Sequence, residues 1–308
     1  MIYMDTPKPA FDDHSAALPE FLSPSRLADY KQCPKLFFYK TVCKVTTPPS
    51  EATIKGNLAH YAYEHTFSTP QGERTVELSQ DLVDVAWEEM TAEYEEDTRD
   101  YHSSIAAREM FPAGSDDEKR LLKDTKVVVA TWYDMERVNN FTPTGLVTPT
   151  GDTIDGREVY VNSSVGSVPM HGYVDRVDSW KDGDNTHWAV SDYKTGKIPQ
   201  PRFKDKYFEQ LRIYAVLLKK QYGIQTDVLR LVFTKSGNRE KGILTEKVTT
   251  ARLAATERQV DSTFRQIKSN AKDGEWPTKT GPLCNWCFFQ DICPAWNKNT
   301  EGIELDTP

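Results

Sequence analysis

Apolar positions change rhythm along this chain of 308 residues. Up to about residue 140 they fall mostly in helical segments. One helix begins at Ser23-Pro24-Ser25, with Ser23 as N-cap and Pro24 in the first turn, and carries Leu27 and Tyr30 towards Cys33-Pro34. Further helices are predicted over residues 55–67, 79–97 and 116–138, the last with an acidic first turn that suits the helix dipole. Residues 99–115 show no clear period. Val, Tyr and Trp then crowd residues 158–162, 168–180 and 186–194, broken by Gly and Asp, which predicts strands. A helix over 205–222, with Leu211, Ala215 and Leu218 as its core stripe, precedes strands at 227–234 and 242–248 and a long helix at 250–270. The plan is an arm (1–21), a helical region (22–140), a mixed α/β core (141–275), a cysteine-rich segment (276–297) and a tail (298–308).

Composition narrows the classes. Hydrophobic residues make up 38% of the chain and no apolar run approaches the roughly 18 residues of a membrane span, so a cytoplasmic globular protein is expected. The formal charge is −8, which does not advertise a polyanionic partner. Phosphate contacts need a local basic patch, however, and Lys194, Lys197, Arg202, Lys204, Lys206 and Arg212 offer one. The acidic runs at 88–100 and 116–118 read as solvated faces. No Gly-x4-Gly-Lys-Ser/Thr sequence is present, so no ATP motor is recognisable.

The candidate chemistry starts on one hairpin. Asp192 and Lys194 are two apart on a predicted strand and share a face. A turn centred between Gly183 and Asp184 places Asp175 directly opposite Asp192, with Cβ atoms about 4.5–5.5 Å apart. Two carboxylates that close repel unless a cation lies between them, and a hard divalent ion is the natural one. Lys194 would then hold an attacking water and offset phosphate charge. Asp-x-Lys alone is common on surface hairpins, so the pairing with Asp175 is what gives it weight. His60 and Glu64 share a helix face, as do Gln210 and Tyr214. A single helical histidine is more often structural, and Tyr214 alone is more often a boundary aromatic.

Cys33 stands near the start and Cys284, Cys287 and Cys293 near the end; Cys43 is left over as a plain thiol. Five cysteines without an export signal favour metal binding over disulfides. Four thiolates suit a 4Fe–4S cluster or a zinc ion, and spacing alone leaves both open. Either closes a loop of about 250 residues, a structural constraint that grows with the logarithm of length. Trp286, Phe288, Phe289 and Trp296 would cover the group, or stack on bases.

The order His60, Asp175, Asp192-x-Lys194, Gln210-x-x-x-Tyr214 resembles the RecB-like branch of the PD-(D/E)XK nuclease superfamily. The cysteine pattern resembles its iron–sulfur subgroup, which includes CRISPR-associated RecB-like exonucleases and AddB-type helicase–nucleases. The resemblance spans about residues 22–296. It implies a restriction-endonuclease-like mixed sheet flanked by helices, with a helical N-terminal insertion and an iron–sulfur clamp joining the termini. It implies that His60, Asp175, Asp192 and the backbone carbonyl of Tyr193 bind Mg2+ or Mn2+, that Lys194 activates water, and that Gln210 and Tyr214 line the site. Glu64 fits loosely, behind the ligands. Lys197, Arg202, Lys204 and Arg212 would contact nucleic acid. Cys33, Cys284, Cys287 and Cys293 would hold a 4Fe–4S cluster. Val174 replaces the proline of the family's name. The implied activity is an exonuclease on single-stranded DNA in a bacterial or phage repair or recombination pathway, with recombination or CRISPR-associated proteins as partners. A non-catalytic DNA-binding or assembly subunit is the rival.

Overall fold

The computed structural model describes residues 18–92 and 99–297, and side chains over all of these except 99–103. Most of the expected arm and all of the tail lie outside these residues, as do 93–98 in the acidic run. The helices are α1 (Pro24–Gln32), α2 (Pro34–Phe37), α3 (Glu51–Thr66), α4 (Val76–Met90), α5 (Arg99–Met110) and α6 (Asp116–Glu136). Strands β1 (Leu146–Val147), β2 (Thr153–Ile154), β3 (Arg157–Val165), β4 (Val168–Asp182) and β5 (Asn185–Lys194) follow. Then come α7 (Lys204–Tyr222), β6 (Val228–Phe233), α8 (Arg239–Gly242), β7 (Ile243–Lys247) and α9 (Thr250–Asp273).

Local side-chain chemistry starts the helices. The hydroxyls of Ser23, Ser50, Thr75 and Ser115 accept from the N–H three residues on, satisfying donors that a first turn leaves unpaired. Caps at Ser50 and Thr75 start α3 and α4 several residues earlier than the apolar pattern indicates. α6 stops at Glu136 because Arg137 turns left-handed, with φ 54°.

The chain divides into two units. One comprises residues 48–161 and 173–253, and the other, among the described residues, 18–47, 162–172 and 254–297. A mostly antiparallel sheet runs in the order β3-β4-β5-β6-β7, within a mixed α/β fold whose helices flank the sheet. β4 and β5 form the anticipated hairpin: Asp182 pairs with Asn185 and the register holds through Arg176 and Ser191. Gly183 takes φ 59°, as a two-residue turn demands. β6 lies parallel to β5, a connection that requires a crossover, and α7 supplies it.

In the first unit, α3, α4 and α6 bury Leu58, Tyr63, Val83, Leu121 and Trp132 in one apolar cluster with Tyr193 of β5. The Tyr63 and Trp132 rings stack at 4.5 Å, and Tyr63 meets Tyr193 at 4.9 Å. Aromatic packing thereby fixes His60, on the same helix as Tyr63, relative to β5. In the second unit, Phe37 and Phe38 stack on Trp276, and Tyr39 donates to the carbonyl of Ile292 at 2.8 Å.

Candidate functional site

The polar site is built from α3, the start of β3, the middle of β4 and the end of β5. His60 projects from α3 between the buried residues Ala59 and Ala62. Its Nε2 lies 3.1 Å from the carbonyl oxygen of Tyr193, and its Nδ1 lies 3.6 Å from Asp175 Oδ2. Asp175 Oδ2 accepts from the Tyr193 N–H at 2.7 Å. The Tyr193 peptide thus addresses both side chains, one through each polar group. Asp192 is 2% exposed, and its Oδ2 pairs with Lys194 Nζ at 2.6 Å without making a well-angled hydrogen bond.

Glu158 completes the arrangement, and sequence reasoning missed it. Ligand atoms of His60, Glu158 and Asp175 all lie within 4.8 Å of one another. Residues 158–162 were readable as a strand, but nothing in that short alternation marked the carboxylate. Its backbone is the signal that only coordinates supply: φ is 42°, in the left-handed region that a non-glycine residue adopts at a cost. Gly156 makes the approach feasible. A Cβ there would lie 2.3 Å from the Val177 carbonyl oxygen and 2.6 Å from that of Pro143.

The electrostatics point to a missing positive charge. Burial pushes the Glu158 carboxyl up to about 7, and Asp175 adds to the effect. Burial, then Asp175, likewise pushes Asp192 up to about 6 against the pull of Lys194. Lys194 itself is raised: burial opposes its charge, but Asp192 and Asp175 outweigh it. Carboxylates that hold protons near neutrality for want of countercharge are a donor set suited to a divalent cation. An imidazole nitrogen and a carbonyl oxygen 3.1 Å apart also suit neighbouring positions around a small ion, where ligand distances of about 2.1 Å set adjacent donors about 3 Å apart. The residues therefore fit the metal that the motif order implies, with Glu158 added to the expected His60, Asp175, Asp192 and Tyr193.

Beneath the site lies a buried ionic hub. Glu136 accepts from Arg230 at 2.6 Å and pairs with Arg176 at 2.5 Å. Arg176, 1% exposed, also donates to Asp178 at 2.9 Å and to the Tyr193 hydroxyl. Burial alone would raise the Glu136 carboxyl, yet Arg176 and Arg230 hold it below its usual range. The hub clamps the ring of Tyr193, whose peptide faces His60 and Asp175.

Gln210 donates to the Tyr214 hydroxyl at 3.2 Å on one face of α7. Burial raises Tyr214, with added repulsion from Asp192, Asp175 and Glu158, which places its hydroxyl within their field. The Glu64 carboxylate is not among the grouped ligand atoms; it sits 3.9 Å from His65, and its charge contributes to the rise of Glu158. Lys197 and Arg202 are exposed and Lys204 is half-buried. Arg212 corrects the expectation of a nucleic-acid contact: it is 5% exposed and committed to Glu246 and Asp205, because the α7 face it occupies packs inward.

In the other unit, Cys33, Cys284, Cys287 and Cys293 line one cavity of about 180 Å³. Backbone N–H groups of Lys279 and Gly281 point at Cys33 and Cys284 sulfurs, each at 3.4 Å. Burial raises the Cys287 thiol, and the other three thiols add to the effect. Among the described residues, no three of the thiols form a group with all sulfurs within 4.8 Å of one another. Cys43 is buried apart from them. The expected apolar cover is partial: Phe289 is buried against Tyr39, but Trp286 is 78% exposed and Phe288 and Trp296 are more than half exposed.

Comparison with known proteins places the chain in a family. Residues 21–294 match the PD-(D/E)XK nuclease superfamily, and the chain belongs to it. It is 26% identical over 185 residues to an ATP-dependent helicase/deoxyribonuclease subunit of Carboxydothermus hydrogenoformans. That match takes in 58% of this chain but 16% of the relative's length. A solved structure from Eubacterium rectale, provisionally assigned as an exonuclease, aligns with 94% of this chain and 90% of its own at 14% identity and a TM-score of 0.49. No described helix is long and apolar enough to cross a membrane.

Proposed function

We propose that this protein is a Mg2+- or Mn2+-dependent deoxyribonuclease that degrades single-stranded DNA from an end, in recombination or repair. The observation that carries this reading is the convergence of His60, Glu158 and Asp175 beside the Asp192–Lys194 pair. A bound divalent cation would supply Lewis-acid stabilisation of charge developing on the phosphate. His60, Glu158, Asp175 and the Tyr193 carbonyl would hold it, with Asp192 turning to it from Lys194. Lys194, already beside the carboxylates and held in its charged form by Asp192 and Asp175, would orient the attacking water and offset charge on the phosphate. Lys197, Arg202 and Lys204, which follow Lys194 in the chain, would track the phosphate backbone.

The cysteine cavity supports a 4Fe–4S cluster over zinc. Four sulfurs about a zinc ion, at about 2.3 Å each, would all lie within about 4 Å of one another. The thiols here are spread more widely around one cavity, which suits a larger inorganic core. Association with recombination or CRISPR-associated proteins belongs to the same reading, as does a cytoplasmic location.

The test is digestion of single strands labelled at the 5′ or the 3′ end, with Mn2+, by wild type and Asp192→Ala. Progressive loss from one end by wild type alone supports the assignment; equal activity of the two proteins refutes it.

A further inference from the structure

β3 and β4 carry a second feature on the face that holds the carboxylates. Residues two apart on a strand share a face. Tyr173 precedes Asp175 by two positions on extended β4, and Tyr160, two positions after the left-handed Glu158, joins that face through its contact with Tyr173, while Val159, Val161 and Val174 are buried. The two tyrosine rings meet at 5.2 Å with 48° between their planes. They are 43% and 56% exposed. Scattered exposed aromatics are ordinary. Two in mutual contact, both one side-chain step from metal-ligand candidates on the same two strands, are not scattered.

We propose that Tyr160 and Tyr173 form a stacking platform for a base of the single strand whose phosphate lies at Glu158 and Asp175. The proposal rests on the nuclease reading above and names how the substrate is seated. Two strand residues span about 6.7 Å, within reach of the sugar that joins a phosphate to its own base. A base is flat and uncharged, so it suits an aromatic surface beside carboxylates that would repel a bare phosphate. Every base presents a π-face, so the platform accepts strands without regard to sequence. Duplex DNA keeps its bases stacked inside, so the platform selects unpaired ends.

Fluorescence anisotropy with labelled single-stranded oligonucleotides, and Ca2+ in place of Mn2+, tests this. Tyr160→Ala/Tyr173→Ala should bind about 5- to 150-fold more weakly, the equivalent of about 1–3 kcal/mol per stacked base. Tyr160→Phe/Tyr173→Phe should bind as wild type, because the rings remain. An abasic residue walked through the first three positions from the end should weaken wild type at one position and leave the alanine variant indifferent. Undiminished binding by the alanine variant, an abasic penalty that survives in it, or a change in its oligomeric state in place of DNA affinity overturns the platform. Mn2+-dependent cleavage is followed in parallel. Cleavage by wild type together with any of those results overturns the platform alone; absence of cleavage by wild type overturns the nuclease reading and the platform with it.

Discussion

Removing the Glu158 charge should remove its share of the pH dependence that this site imposes on the metal-free protein. The folded-state pKa of Glu158 is about 7, against an ordinary 4.5, because the carboxyl is buried beside Asp175. A raised carboxylate contributes stability that is fully present below pH 4.5 and is lost as pH rises through 7. A rise of this size corresponds to ~3 kcal/mol at 1.36 kcal/mol for each pH unit. Partial solvent access screens the charge and reduces this to ~1–2 kcal/mol. At about 2 °C for each kcal/mol in a chain of this size, wild type in EDTA should lose ~2–4 °C of Tm between pH 4.5 and 8 relative to Glu158→Gln. Excess Mn2+ at pH 8 should restore wild type, by about 2.7 kcal/mol at a hundredfold excess over Kd. The same Mn2+ should do less at pH 5, where protons occupy Glu158 and Asp192. Differential scanning calorimetry of both proteins across pH, with EDTA or Mn2+, reads this directly. Parallel pH profiles of the two proteins in EDTA, or equal Mn2+ stabilisation at pH 5 and pH 8, would refute the reasoning.

Other consequences can be measured separately. Lys194→Met should lower kcat on single strands by about 10²- to 10⁴-fold with little change in KM, as steady-state digestion will show, because the group acts on the reacting water. Glu136→Gln leaves buried Arg176 and half-buried Arg230 against a neutral partner and should cost about 3–5 kcal/mol in urea unfolding. The wild-type hub should also weaken as pH falls below the ordinary carboxylate value, since the contribution of Glu136 is full above that value and is lost as pH falls through its lower folded one. In anaerobically purified protein, Cys287→Ser should abolish a broad visible absorption band and bound iron; a colourless, zinc-loaded wild type would overturn the cluster assignment.

The hairpin was legible because side-chain period and turn length are local: Gly183 and Asp184 set the register that carries through Arg176 and Ser191. The order of His60, Asp175, Asp192, Lys194, Gln210 and Tyr214 likewise pointed to the superfamily before any coordinate was known, since each residue type has its own chemistry. Glu158 was hidden, because its importance comes from a left-handed backbone and from how close β3 comes to β4 at Gly156. Arg212 misled for the complementary reason: a cation's role depends on what it packs against, and two carboxylates, Glu246 far along the chain and Asp205 seven residues back on α7, had already claimed it. The hub of Glu136, Arg176 and Arg230 joins α6, β4 and β6, elements far apart along the chain. Residue type and spacing along the chain determined which groups could do chemistry; burial and long-range contact, which only folding creates, decided which of them meet and what charge they hold there.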